Sequence, residues 1–128
     1  MERRTIPGHS PYEAVVGYSR AVVSGPHVFV SGTAPIAADG GEPPEDAYGQ
    51  ARLCLELILG ALAEAGASAA DVVRTRMFLT EAADMDEIGR AHGEVFGEIR
   101  PASTALVVKA LLDSRWRVEI EADALLRR

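Results

Sequence analysis

Three carboxylates, Glu119, Glu121 and Asp123, alternate with Val118, Ile120, Ala122 and Ala124 near the end of the chain. In an extended strand residues two apart share a face, so these acids stand in one row. Like charges so placed repel one another and require water or cationic partners. Arg74 and Arg76 repeat the same spacing in another apolar run. Two arrangements satisfy the acids: a solvated face, or a meeting with these arginines within or between subunits. Metal chemistry finds no comparable pattern. His9, His27 and His92 are far apart and belong to no HxxxH or CxxC arrangement. His92, close to Glu94, reads as a surface or partly buried helix residue. The single cysteine, Cys54, excludes an intrachain disulfide and reads as a small core residue in a helix.

The elements that must position these residues follow from periodicity. Ala21-Val22-Val23 and Val28-Phe29-Val30 are β-rich runs flanking Ser24-Gly25-Pro26-His27, a turn composition, so Tyr18 to Thr33 predicts a hairpin. Asp39-Gly40-Gly41-Glu42-Pro43-Pro44 can continue neither strand nor helix. From Asp46 the period changes. Ala47, Ala51, Cys54, Leu55, Ile58 and Leu62 recur at helical spacing, widened by Leu53 and Leu57, and Gly66 supplies the stop. Asp71 to Thr80 predicts a strand with Val73, Thr75, Met77 and Leu79 on one face and Arg74, Arg76 and Phe78 on the other. Asp84 is placed to cap a second helix whose buried side carries Ile88, Ala91, Val95 and Phe96. Pro101 ends that region. Thr104 to Val108 is a short strand, Leu111 to Trp116 a connection, and Arg117 to Leu125 the last strand. A further strand is expected near Arg3 to Ile6. The order β-β-α-β-α-β-β, without repeat or linker, predicts one two-layer α+β domain over residues 1–128, two helices covering one face of a mixed sheet. The other face, carrying Phe78, Leu125 and the carboxylates, is a natural assembly surface.

Composition narrows the function classes. The chain has 128 residues, 48% of them hydrophobic and 25% charged, which is the balance of a folded domain. That length buries a core without staples. Thirteen basic against 19 acidic residues give a net charge of −6. Nonspecific nucleic-acid binding needs a broad positive field, which is missing here. Aromatics make up only 5% of the chain, so stacking platforms for bases are scarce. No stretch reaches the roughly 20 apolar residues of a membrane span. The charged start, Met1-Glu2-Arg3-Arg4-Thr5, is followed by Pro7-Gly8-His9 rather than an apolar run, which predicts a cytoplasmic protein.

Five phrases, in order, carry a resemblance. They are Gly17-Tyr18-Ser19-Arg20-Ala21-Val22 and Val28-Phe29-Val30-Ser31-Gly32; then Ile58-Leu59 through Ala65-Gly66-Ala67-Ser68 to Asp71-Val72-Val73; then Arg100-Pro101-Ala102-Ser103-Thr104 and Val118-Glu119-Ile120-Glu121-Ala122. From about residue 12 to residue 125 the chain resembles the Rid family, also called the YjgF or reactive-intermediate deaminase family. The resemblance implies a chorismate-mutase-like α+β fold, a homotrimer built around a barrel of sheets, and ligand clefts between subunits. It implies hydrolysis of small imines and enamines to a carbonyl compound and ammonia, with no metal and no organic cofactor. It implies a small-molecule partner. A ribonuclease activity is also attached to the family by name, but the net charge of −6 and the scarce aromatics argue against nucleic acid, and the lack of a long apolar stretch argues against a membrane.

The resemblance also assigns roles. Glu119 matches the family glutamate associated with the attacking water, and Tyr18, Ser31 and Gly32 match substrate contacts. At one position the chain departs from the pattern. Where the family has Pro-Ala-Arg, this chain has Pro101-Ala102-Ser103. The family arginine holds the substrate carboxylate with a bidentate fork; a serine donates one neutral hydrogen bond, a deficit of roughly a few kcal/mol. Arg20, Arg100 and Lys109 are the cations that could compensate. Lys109 lies six residues beyond Ser103, about 20 Å along an extended strand, and is poorly placed for it. The sequence therefore predicts an imine- or enamine-processing trimer with Glu119 at the water, Tyr18, Arg20, Ser31, Gly32 and Ser103 around the substrate, and conventional 2-imino acid deamination weakened. The competing expectation is a trimer that binds a small metabolite, or a pathway partner, without turnover.

Overall fold

The computed structural model describes residues 2–127. Its six strands form one sheet: β1 (Arg3–Ile6), β2 (Ala21–Ser24), β3 (His27–Thr33), β4 (Val72–Leu79), β5 (Ala102–Val107) and β6 (Val118–Leu125). Their order across the sheet is β1-β2-β3-β6-β4-β5. All neighbours run antiparallel except β4 and β5, which are parallel and therefore need the crossover that α2 (Met85–Phe96) provides. The other helix, α1 (Ala47–Glu64), links β3 to β4. This is the α+β, two-layer architecture expected, with the first strand where the sequence placed it.

The core lies between the sheet and the two helices. Val118, Ile120, Ala122 and Ala124 of β6 are buried, as are Ala51, Cys54, Leu55, Ile58 and Leu62 of α1 and Ile88, Ala91 and Phe96 of α2. Asp46 caps α1 by accepting the Gly49 N–H at 2.9 Å, which satisfies one orphan donor of the first turn. Cys54 is fully buried, with Sγ 3.9 Å from the Val118 carbonyl, and burial pushes its thiol well above the usual range. Gln50 is buried too. Its amide donates to Pro44 O at 2.8 Å and Arg115 O at 2.9 Å, and its carbonyl accepts from the Arg117 N–H at 2.7 Å. One side chain thus ties α1 to the entry of β6.

Two details differ from the periodic reading. Val73 is half exposed, and Val72 takes the buried place, because the β4–β6 register shifts between Val72 and Arg74. Asp84 stands at the start of α2 but makes no capping bond. Its carboxylate instead accepts from Arg117 Nη1 at 3.1 and 3.3 Å. A guanidinium offers a charge-assisted contact, which outcompetes a neutral backbone donor. At the far end of α2 the chain reverses through Arg100, which is left-handed at φ 57° and donates its N–H to Phe96 O at 2.8 Å.

Candidate functional site

The row of acids on β6 has two unlike ends. Arg76 meets the C-terminal part, with Nη1 3.0 Å from Glu121 Oε1 and 3.5 Å from Asp123 Oδ2. The acidic and basic faces therefore meet inside one chain, across the β4–β6 pair in which Arg76 stands opposite Glu121. Arg74 makes no ion pair among the described residues. Glu119, at the N-terminal part, receives no hydrogen bond and no ion pair within those residues. Burial holds its carboxyl above the ordinary range, Arg20 works against that shift, and Glu121 adds to it.

The environment of Glu119 is built by an irregularity in β3. Pairing between β3 and β6 is regular from His27 to Val30 and resumes at Thr33, so Ser31 and Gly32 fall in the shift between. Both residues are half buried, and a carbonyl out of register with its ladder must find another donor. Arg20 Nη2 supplies both, at 2.7 Å from Ser31 O and 2.7 Å from Gly32 O. The Ser31 hydroxyl donates to Ser19 O at 2.7 Å, and the Ser31 N–H to Arg20 O at 3.0 Å. Glycine at position 32 has a steric reason: a Cβ there would run into Glu119 Oε2. Arg20, Ser31, Gly32 and Glu119 thus form one cluster. Arg20 is not a solvated surface arginine. Its guanidinium is half buried, burial lowers its affinity for the proton while Tyr18, Glu13 and Glu119 oppose that, and its Nε is buried with no partner.

Tyr18 stands at the border of this cluster, with its hydroxyl 3.3 Å from Ser10 Oγ. It lines an open groove of about 540 Å³ together with Arg3, Glu13, Ser19 and Ser31. The short helical turn before it, Glu13–Gly17, is exposed and ends on Gly17 at φ 92°, a conformation that favours glycine.

Ser103 is not part of this cluster. It lies on β5, opposite Thr75 of β4, and the two hydroxyls are 2.8 Å apart. Thr75 is fully buried on the helix-facing side, whereas Glu119 alternates with the buried Val118 and Ile120 and faces the other way. One chain therefore keeps Ser103 and Glu119 on opposite faces of the sheet. Thr75 Oγ1 also lies 2.8 Å from His92 Nε2 on α2. This Ser103–Thr75–His92 chain escaped the sequence reading. Thr75 gave the available signal, as a polar residue at an inward strand position. His92 does not contact Glu94, whose carboxylate takes the Tyr48 hydroxyl at 2.6 Å. Its ring packs 4.8 Å from that of Phe96, and burial lowers its affinity for the proton.

No cluster of three or more metal-binding side chains occurs among the described residues, and no helix there is long and apolar enough to cross a membrane.

A two-layer fold with its glutamate at a strand irregularity has known relatives. The family model for endoribonuclease L-PSP matches residues 8–126. A solved Mycobacterium tuberculosis structure, from a member of the YjgF/YER057c/UK114 family, is 42% identical, covering 98% of this chain and all (100%) of that one, with a TM-score of 0.89. The putative reactive intermediate deaminase TdcF of Escherichia coli is 32% identical over 127 residues, 98% of this chain and 95% of that protein. The crystal structure of E. coli TdcF with bound serine superimposes with a TM-score of 0.82 at 30% identity, covering 97% of this chain and 94% of that one. The chain belongs to the YjgF/Rid family.

Proposed function

We propose that the protein processes a small imine or enamine, by hydrolysis to a carbonyl compound and ammonia or by tautomerisation, with Glu119 as the proton-transfer group. One observation carries this reading. Glu119 is half buried, its carboxyl is held above the ordinary range, and it has no hydrogen-bond partner among the described residues, so it is open to a water or a substrate. Kinship to a reactive intermediate deaminase supports the reaction class. Ser31, Gly32 and Tyr18 border the substrate position. Arg20 shapes it by clamping the two carbonyls at the strand irregularity and opposes part of the burial shift of Glu119.

The site is completed by a second subunit in a homotrimer, with Ser103 contributed from across the interface. Two features support assembly. Ser103 and Glu119 cannot meet within one chain, and Tyr12, Val15, Val16, Leu106 and Val107 leave apolar surface uncovered. Ser103 offers a neutral hydrogen bond, so the substrate is one that lacks a carboxylate or has it held by another cation. A second reading is favoured by the serine-bound TdcF structure: a trimer that holds a small metabolite without turnover.

The test is to generate 2-iminobutanoate or 2-aminoacrylate in the presence of the protein and follow release of the keto acid. Wild type is expected to accelerate release weakly, Glu119→Gln not at all, and Ser103→Arg more strongly than wild type. An active wild type with an equally active Glu119→Gln would remove Glu119 from the reaction. Silence from wild type and Ser103→Arg alike, with binding retained, would favour the binding module.

A further inference from the structure

Ser103, Thr75 and His92 come from β5, β4 and α2, and their polar atoms form an unbroken line: Ser103 Oγ to Thr75 Oγ1 at 2.8 Å, and Thr75 Oγ1 to His92 Nε2 at 2.8 Å. The middle member decides what the line can do. A threonine hydroxyl has one proton to give, and Thr75 is fully buried, so its proton goes to one of these two neighbours. The line therefore points either from Ser103 through Thr75 to His92, or the reverse. Shifting one proton along it converts the first arrangement into the second.

Both ends are open. Ser103 is exposed on β5, the edge strand of the sheet, with no further strand beyond it. His92 Nδ1 makes no hydrogen bond within the described residues, and the ring is half buried rather than enclosed, which leaves that nitrogen a path to solvent. The imidazole is a competent acceptor because burial keeps it neutral.

We propose that Ser103, Thr75 and His92 form a relay that makes the Ser103 hydroxyl a nucleophile toward a small uncharged electrophile, an imine or activated carbonyl carbon. This goes beyond the role of Glu119 and does not depend on it. In the covalent step Ser103 Oγ bonds to the electrophilic carbon, and the electron pair of the C=O or C=N bond moves onto its heteroatom. The Ser103 proton passes to Thr75 Oγ1 while the Thr75 proton passes to His92 Nε2, and Nδ1 releases its proton to solvent. With an ester, the tetrahedral centre then collapses and expels the alkoxide. The relay contains no fixed cation, so an uncharged electrophile fits it better than a carboxylate.

The chain offers a clean chemical background for the test. Lys109 is the sole lysine and Cys54 the sole thiol, and Cys54 is buried. p-Nitrophenyl acetate is the probe; its p-nitrophenolate leaves without needing a proton. The expected result is release of p-nitrophenolate with one acetyl group on Ser103, located by peptide mass spectrometry. Thr75→Val, which keeps the shape and removes the hydroxyl, and His92→Asn, which cannot take the proton, should each slow acetylation of Ser103 by about tenfold or more. The double variant should be no slower than the slower single one, since the three act as a unit. Circular dichroism checks the fold of each variant, and His92→Asn decides alone if Thr75→Val does not fold. Acetylation confined to Lys109 or the N-terminal amine overturns the proposal. So does unlabelled protein, or His92→Asn acetylated on Ser103 at the wild-type rate.

Discussion

Glu119 and Glu121 share one strand face, two residues apart, yet they are in opposite circumstances. Glu121 has a guanidinium at 3.0 Å and Asp123 shares it at 3.5 Å, so that end of β6 is a structural ion-pair array. The Glu119 side chain lies against Gly32, in the break of the neighbouring strand, where Arg20 binds the carbonyls and no direct partner reaches the carboxylate among the described residues. The contrast teaches how one strand face can hold a paired acid and, two residues away, a half-buried acid whose proton is held more tightly than usual. Arg76 of β4 is given to the acids, whereas Arg20, just before β2, is given to the carbonyls at the break in β3. Sequence alternation alone makes the two glutamates look equivalent.

Neutralising each acid in turn separates the two glutamates. Glu119→Gln should lower imine or enamine turnover by roughly 10²–10⁴-fold, the usual span for a lost acid–base group. Glu121→Gln should leave turnover within a few-fold, and steady-state kinetics distinguishes the two. Next in size is Gly32→Ala. Its methyl group meets Glu119 Oε2, and displacing a reacting group by about 1 Å costs up to about 100-fold, so kcat should fall while the urea midpoint changes little.

Gln50→Ala attacks the same end from the core side. It strips the Arg117 N–H of its acceptor and two carbonyls of their donor, which should destabilise the protein by about 1–3 kcal/mol in urea unfolding. Arg76→Ala attacks the other end and leaves Glu121 and Asp123 facing each other. Both acids are partly solvated, so a loss of under about 1 kcal/mol is expected, shrinking in high salt.

The smallest effect is a pH slope. The Glu119 carboxyl binds its proton more tightly folded than unfolded, because burial raises it and Glu121 reinforces this against Arg20. Its contribution to stability is therefore full below the ordinary glutamate value of about 4.3 and is lost as pH rises through the higher folded value. Urea midpoints measured between pH 7 and pH 4 should move in favour of wild type over Glu119→Gln as pH falls. A difference constant with pH would mean that Glu119 is solvated like any surface acid.

The sequence announces most of this fold because its apolar residues keep time with their elements. α1 and β6 alternate cleanly and fall where their periods place them. Val73 breaks the rule because a register shift rotates one residue of β4, and nothing local encodes that shift. Asp84 has the right type and position for a cap, but its charge prefers Arg117, a partner 33 residues away. The site was partly legible. Glu119, Ser31 and Gly32 are named by resemblance and Arg20 as a compensating cation, and the structure brings those four together. Ser103 was grouped with them and lies on the other face of its own chain. Its line to His92 depends on the parallel register of β4 and β5 and on the docking of α2, relations that no spacing along the chain reveals.

Cys54 lies against Val118, one residue from Glu119, and its buried thiol cannot meet a reagent while α1 rests on β6. That makes the only sulfhydryl in the chain a clock for the core. A thiol-reactive dye in native buffer marks the protein only when the helix lifts, so its rate counts openings rather than reactivity. The tally would be taken at the very strand that carries Glu119, telling how long that carboxylate keeps a firm floor beneath it.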